Sequence, residues 1–431
     1  MTIRSAASMN KTVVGQNREP HISLPTGTGA NSLFAAMRHR NFQLYFGGQL
    51  VSNIGTWMQI IAQGWVVYQI GHSELTLGLV AFASAIPVLV VSPWGGVIVD
   101  RVSRRKLLIL TQSGAMLLAF TLAALMFKNI VQEWHVIVLA ALLGVINAVD
   151  APARQAFVPE MVGKEDLPNA IALNSMMFNS ARVIGPAVAG LVLAAVGAAW
   201  CFTLNGISFF AVLIGLWLMK LPPHQNIQHT SSPWRQLVGG LKYTSGNREI
   251  LALILLSLVF SIFGISYSTI LPAFVEKTLH QGAAAYGWIN TATGLGALTS
   301  AFMLANRMSH GRRGKLLILT NIAFPLIFIA FAFTSAFWLS LLLAYGLGMG
   351  FMVQFTTINT LLQTRVQDEF RGRVMGLYTL TFFGFSPFGN LLIGFLGEKF
   401  GLGIAMTLFA VCSLILSRLV LMRTPEVQKL S

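Results

Sequence analysis

The chemistry that this chain could support starts with two charged residues inside long apolar runs. Arg182 lies about twelve residues into the run 170–196, roughly 18 Å along a helix. At that depth in a membrane a charge costs at least about 2.5 kcal/mol unless it is paired or hydrated. Asp150 shares one helical face with Asn147 and Arg154, and the two charges can pair there. Arg182 could bind an anion, pair with Asp150 or hold two helices together, and these alternatives stay open.

Amide and aromatic side chains add neutral groups that could recognise an organic compound. The run 43–69 carries a polar stripe that includes Asn53 and Gln63, and such a stripe faces water or protein rather than lipid. Trp57 and Tyr267 suit an apolar or aromatic ligand, and packing alone explains them equally well. We expect a substrate cavity lined by Asn53, Gln59, Gln63, Asn147, Asp150, Arg182, Tyr267, Gln354 and Asn359.

The composition identifies the environment of these residues. Of the 431 residues, 55% are hydrophobic and 10% are charged, whereas soluble domains are about 25% charged. This argues against a soluble enzyme, a nucleic-acid-binding protein and a disordered scaffold. The net charge of +15 is explained by lysines and arginines in cytosolic loops rather than by nucleic acid. The lipid bilayer is the expected partner.

The elements that must position the site are twelve apolar segments, so we predict an all-α integral membrane protein with twelve transmembrane helices. The predicted spans are 43–69, 76–99, 107–127, 135–157, 170–196, 199–219, 249–276, 286–305, 315–334, 337–364, 373–397 and 402–422. The predicted domains are a disordered cytosolic tail (1–40), an N-terminal half (41–220), a linker (221–248), a C-terminal half (249–422) and a C-terminal tail (423–431). Within the linker, 234–243 is a candidate amphipathic helix at the interface.

Basic residues set the orientation, because cytosolic loops collect lysine and arginine. With the N-terminus in the cytosol, only Lys128, Lys277 and Lys399 of the 29 basic residues fall on the opposite side. Both termini are therefore expected in the cytosol. No signal peptide is evident in the polar first 40 residues.

The two halves repeat one another. The hexapeptide KLLILT occurs at Lys106–Thr111 and again at Lys315–Thr320, at the start of the third span of each half. Two pseudo-symmetric six-helix halves are a transporter architecture, in which the substrate binds between the halves near mid-membrane.

One loop carries the most specific motif, a glycine and an aspartate followed by three arginines: Gly96, Asp100, Arg101, Arg104 and Arg105. This pattern resembles the loop signature of the major facilitator superfamily. The resemblance implies the major facilitator fold and a gate in which the loop acid contacts the start of span eleven. Asn306 replaces the acid in the second half, so we expect a single acidic latch at this loop.

Further motifs point to a branch of that superfamily. Gly185, Pro186 and Gly190 in span five resemble the kink signature of its antiporters, although a generic packing kink is an alternative. The segment from Asp150 to Arg154 is similar to that of a bacterial efflux branch that includes enterobactin exporters and macrolide-efflux proteins. Ala140 stands where many drug antiporters carry a coupling arginine, so Asp150 and Arg182 become the candidate coupling residues.

These observations predict a secondary transporter that exports a drug-like or siderophore-like compound by alternating access, with proton antiport as the drive that the resemblance implies. A proton-coupled importer and a non-transporting receptor or assembly factor remain alternatives. We expect no enzyme activity, no metal and no cofactor, since no nucleophile cluster, metal spacing or phosphate-binding loop occurs. A monomer in the bacterial cytoplasmic (inner) membrane is expected.

Overall fold

The computed structural model describes residues 34–221, 233–307 and 313–429, with backbone alone at 93, 95–97, 100, 233–237, 305–307 and 428–429. Every regular element in these ranges is helical. The α-helices are α1 (Arg40–Gly71), α2 (Glu74–Arg101), α3 (Arg104–Phe127), α4 (Glu133–Val162), α5 (Leu167–Ala195), α6 (Ala198–Leu218), α7 (Pro233–Gly246), α8 (Arg248–Val259), α9 (Leu271–Lys277), α10 (Ala283–Arg307), α11 (Arg313–Phe333), α12 (Phe337–Arg365), α13 (Asp368–Gly384), α14 (Ser386–Phe400) and α15 (Leu402–Arg423). Most of the predicted tail and much of the predicted linker lie outside the described residues.

Ten helical segments in the described part of the chain are long and apolar enough to cross a membrane. Two further helices, α1 and α10, have 32 and 25 residues, which is also enough for a crossing. Their polar side chains lower their hydropathy, and they are not among the ten. The all-helical membrane fold is therefore confirmed, while the number twelve stays a prediction.

Two predicted continuous spans are interrupted. The segment 249–276 contains a π-helical turn at Phe260–Gly264 and a 3-10 turn at Ser266–Ile270 before α9 begins. The segment 373–397 is divided between α13 and α14 at Phe385. Gly264, Pro272 and Pro387 accompany these breaks, as expected of residues that weaken or redirect a helix. The predicted amphipathic segment 234–243 is helical and lies within α7.

The helices pack as two sets, an N-terminal set (α1–α6) and a C-terminal set (α8–α15). The principal contacts between the sets are those of α5 with α10 and of α2 with α14. At the first of these, a Cβ added to Gly287 would stand 2.6 Å from the Cα of Gly190 and 2.7 Å from the carbonyl oxygen of Pro186. Backbone atoms thus fill the space that a side chain would need, and the glycines permit the close approach.

Replacing Gly287 with leucine should force α5 and α10 apart and lower the melting temperature of the purified protein. Overpacking of this kind costs about 1–3 kcal/mol. The matched control is Gly376→Leu, because a Cβ at the exposed Gly376 meets nothing within 4 Å. Equal melting temperatures for the two variants would contradict the tight α5–α10 contact.

Candidate functional site

A cavity of about 440 Å³ lies between the two sets of helices. This volume is within the range of small-molecule sites. Its walls come from α1, α5, α10, α11 and α12, and from the two interrupted segments. Polar or charged lining residues are Asn179, Arg182, Tyr267, Ser268, Asn290, Thr293 and Ser386.

Arg182 is the charged residue among those that line this cavity. It lies near the middle of α5 (Leu167–Ala195). Its guanidinium carbon stands 4.6 Å from the ring centre of Phe351 and 5.9 Å from that of Trp57, so two π faces contact the cation. No carboxylate of the described side chains forms an ion pair with it. The predicted alternative of an Arg182–Asp150 pair is therefore wrong for this conformation.

Aromatic rings form most of the remaining wall. Phe355 contacts Phe351, Phe382 and Phe383, and Trp57 contacts Phe178 edge to face. Sequence reasoning missed these phenylalanines. The i, i+4 spacing of Phe351 and Phe355 was a signal, but the chain has 30 phenylalanines and most could equally face lipid.

Asp150 is buried between helices rather than placed in the cavity wall. One carboxylate oxygen accepts hydrogen bonds from Thr111 (2.7 Å) and Gln112 (2.8 Å) on α3, and the other lies 2.7 Å from Nε of Arg154. The predicted pairing of Asp150 with Arg154 is confirmed. With these partners Asp150 fastens α4 to α3.

Of the nine side chains predicted to line a cavity, Arg182 and Tyr267 line this one and seven do not. Gln59 accepts a hydrogen bond from Asn205 at 2.6 Å and links α1 to α6, while Gln354 bonds to Asn321 and links α12 to α11. Asn359 accepts a hydrogen bond from Gln363 within α12. The remaining three, all outside the lining, are the half-buried Asn53 and Gln63 and the exposed Asn147.

The two sets are joined by polar contacts at one end of the bundle, the distal end, which is opposite the start of α1 and the end of α15. We call the residues concerned the distal latch: Gln69, His72 and Glu74 of the N-terminal set with Glu276, Lys277 and Glu398 of the C-terminal set. Every hydrogen bond or ion pair that joins the sets through described side chains lies at this latch. Toward the other end the two sets are held by packing alone in the part of the chain described.

The distal latch is centred on the buried Glu74 at the start of α2. Nζ of Lys277 lies 2.7 Å from its carboxylate. The carboxylate of Glu398 accepts the backbone N–H groups of Glu74 (2.8 Å) and Leu75 (3.4 Å), where a helix N-terminus favours negative charge. Beside it, Glu276 accepts a hydrogen bond from Gln69, and its carboxylate lies 3.8 Å from Nδ1 of His72.

This arrangement of two helical sets around a cavity is matched by known proteins. The model of the family described as transmembrane secretion effector, within the major facilitator superfamily, matches residues 31–430. The chain belongs to that family. Among its relatives are the staphyloferrin A transporter of Staphylococcus aureus, 26% identical over 83% of this chain and 90% of the relative. The multidrug efflux pump Tap of Mycolicibacterium fortuitum is 25% identical over 86% of this chain and 94% of the pump.

Two further comparisons agree with these. The enterobactin exporter EntS of Shigella boydii is 25% identical to this secretion-effector protein, over 87% of this chain and 88% of the exporter. The crystal structure of the nucleoside transporter NupG has a TM-score of 0.69 at 13% identity, covering 89% of this chain and 98% of that one. The structural likeness shows the major facilitator fold, and the resemblance to an efflux branch is confirmed.

The superfamily loop motif lies at the junction of α2 and α3. Arg104 forms an ion pair with Glu160 of α4, and Arg105 donates a hydrogen bond to the Trp217 carbonyl of α6 at 2.8 Å. Arg101 is exposed. The side chain of Asp100 and the surroundings of Gly96 lie outside what the structure describes, so a gating role for this motif stays a prediction.

The predicted kink residues of span five lie inside α5. Gly185 allows α1 to approach, because an added Cβ would stand 3.0 Å from the carbonyl oxygen of Ile54. Gly190 faces α10, and Pro186 lines the cavity between them. These residues bring α5 into close contact with both sets of helices, beside Arg182.

Proposed function

We propose that this secretion-effector protein is a secondary transporter that exports a small organic compound by alternating access through the central cavity. The observation that carries the proposal is a cavity of about 440 Å³ between two helical sets whose hydrogen bonds and ion pairs with each other, among the described side chains, all lie at the distal latch. A compound bound there would pass to the other side when the latch opens and the opposite ends of the sets close. The names of the relatives, which include a multidrug efflux pump and an enterobactin exporter, favour export.

We propose that proton antiport drives this export. We further propose that the protein is a monomer of the bacterial cytoplasmic membrane, with both termini in the cytosol, and that it transports its substrate without catalysing a reaction. Carboxylates at the distal latch support this drive, because Glu74, Glu276 and Glu398 each contact the opposite helical set. Protonation of such a group weakens its ion pair, or in Glu398 the hydrogen bonds that the carboxylate accepts, and so favours separation of the sets.

The experiment is flux in proteoliposomes with an imposed proton gradient and a panel of lipophilic drugs and catecholate or carboxylate siderophores. Movement of a compound against the proton flow is the expected result. Movement with the protons would instead indicate an importer. No flux for any compound, while the purified protein still binds one of them, would favour a receptor. Protein-free liposomes are the control for leakage.

A further inference from the structure

We propose that the central cavity binds an organic anion with an aromatic or similarly apolar body, with the acidic group on Arg182 and the body among the phenylalanines. The inference rests on the proposed function, whose substrate it assigns to a chemical class. It is carried by the charge of the cavity and by the chemistry of its walls.

The charge of the lining is the first step. Among the described residues, the lining contains one arginine and no aspartate, glutamate, lysine or histidine. A cationic compound would meet the positive charge of Arg182 with no carboxylate to offset it. An anion would instead supply the counter-ion that this half-buried guanidinium lacks, and charged groups largely removed from water are normally paired.

The geometry of Arg182 is the second step. The rings of Phe351 and Trp57 contact the guanidinium through their faces, and faces stabilise a cation without using its N–H donors. No described side chain or carbonyl accepts a hydrogen bond from these donors. Its planar fork can therefore donate two parallel hydrogen bonds to a carboxylate or a comparable oxyanion.

The walls determine the body of the ligand. Phe355 and Phe383, backed by the fully buried Phe382, form a contiguous aromatic wall next to Phe351, which is suited to a ring or an apolar chain. The amide nitrogens of Asn179 and Asn290 are bonded to backbone carbonyls four residues earlier, at 2.8 and 2.9 Å. Their carbonyl oxygens remain as acceptors, which suit a hydroxyl or N–H group on the ligand.

The test is binding of three probes that share one ring system to the full chain in phosphatidylcholine nanodiscs. The probes are naphthalene-2-carboxylate, its neutral carboxamide and naphthalen-2-ylmethylammonium, with empty nanodiscs subtracted. We expect the carboxylate to bind about tenfold more tightly than the amide, since hydrogen bonds to charged groups are the stronger ones. The ammonium probe should bind most weakly.

Three variants separate charge from packing. Arg182→Gln should reduce the preference for carboxylate over amide to less than about twofold, whereas Arg182→Lys should retain part of it. Phe351→Leu should weaken the binding of the carboxylate and amide probes alike, because it removes a ring contact without removing the charge of Arg182. A melting temperature of Arg182→Gln equal to that of the wild type shows that the variant is folded. If Arg182→Gln no longer binds the amide probe, two other measurements test the inference: the order of affinity of the three probes for the wild type, and the preference of Arg182→Lys for carboxylate over amide.

Three results would overturn the inference: equal or tighter binding of the ammonium or amide probe by the wild type, an anion preference that survives Arg182→Gln, or no carboxylate binding at millimolar concentration. The proposed function fails separately. Anion binding without flux in proteoliposomes would contradict the proposed transport and leave the proposed ligand class intact. Flux of cations alone would support transport and contradict the ligand class.

Discussion

Replacing Lys277 with glutamine should open the distal end of the molecule. While the two helical sets are closed at that end, the change leaves the buried carboxylate of Glu74 without its cation. In the opened state the carboxylate is hydrated, so the penalty falls on the closed state. A hydrogen bond to a charged group contributes about 1.5–3 kcal/mol. Because each 1.4 kcal/mol is tenfold, the ratio of open to closed molecules should rise about 10- to 100-fold.

The measurement is the distance distribution between spin labels at Lys128→Cys and Gln281→Cys, in a background with Cys201→Ser and Cys412→Ser. Both label sites are exposed at the distal end, one on each set. Lys399→Gln is the matched control, because Lys399 is exposed at the same end and forms no ion pair with a described carboxylate. An unchanged distribution for Lys277→Gln, or an equal shift for Lys399→Gln, would contradict a latch.

A double substitution tests whether the effect passes through Glu74. In a Glu74→Gln background no buried charge remains to be stranded, so Lys277→Gln should add little further shift. Additive shifts from the two substitutions would mean that Lys277 acts through another group, of which Tyr68, with its ring centre 5.7 Å from Nζ, is the nearest candidate among the described residues.

The second large effect is expected at Asp150. Asp150→Ala removes the partner of Arg154 and the acceptor for Thr111 and Gln112 in a buried position. Thr111 and Gln112 then lose a charged acceptor in a buried position, and a hydrogen bond to a charged group contributes about 1.5–3 kcal/mol. The melting temperature in detergent should therefore fall by several degrees, measured by intrinsic tryptophan fluorescence. Asp368→Ala is the control, since its pair with Arg371 is largely exposed and such pairs contribute little.

The same position separates a structural role from a coupling role. We expect Asp150→Asn, in preparations that remain folded, to transport with undiminished dependence on the pH gradient. That outcome would show that Asp150 has no role in proton coupling and serves to hold α3 against α4. Loss of the gradient dependence, with substrate exchange intact, would instead restore Asp150 as a coupling residue.

Helix positions could be predicted from the sequence because length and hydropathy define a membrane segment. The predicted span 135–157 became α4 (Glu133–Val162), which continues past the predicted end through Pro159 and Glu160, two residues that normally mark the end of an apolar segment. The breaks at 260–270 and at Phe385 could not be found in this way, since the residues on both sides are equally apolar. Gly264 and Pro387 were the signals available.

The site was less predictable, because polarity does not distinguish a cavity from a helix interface. Arg182 stood out through the cost of a charge at that depth. Gln59 and Gln354 look equally suited to a cavity, yet each satisfies an amide of a neighbouring helix instead. The distal latch joins Glu74 to residues more than 200 positions away, and no local pattern encodes such a pairing.

The two interrupted segments lie side by side. A Cβ added to Gly389 of α14 would reach the carbonyl oxygen of Ile262 in the π-helical turn, so the breaks touch through their backbones. In the N-terminal set, by contrast, each of the six helices is continuous. The N-terminal set is therefore the stiffer of the two sets of helices. A bulky substrate would be expected to deform the C-terminal set, at the two interrupted segments, rather than the N-terminal set.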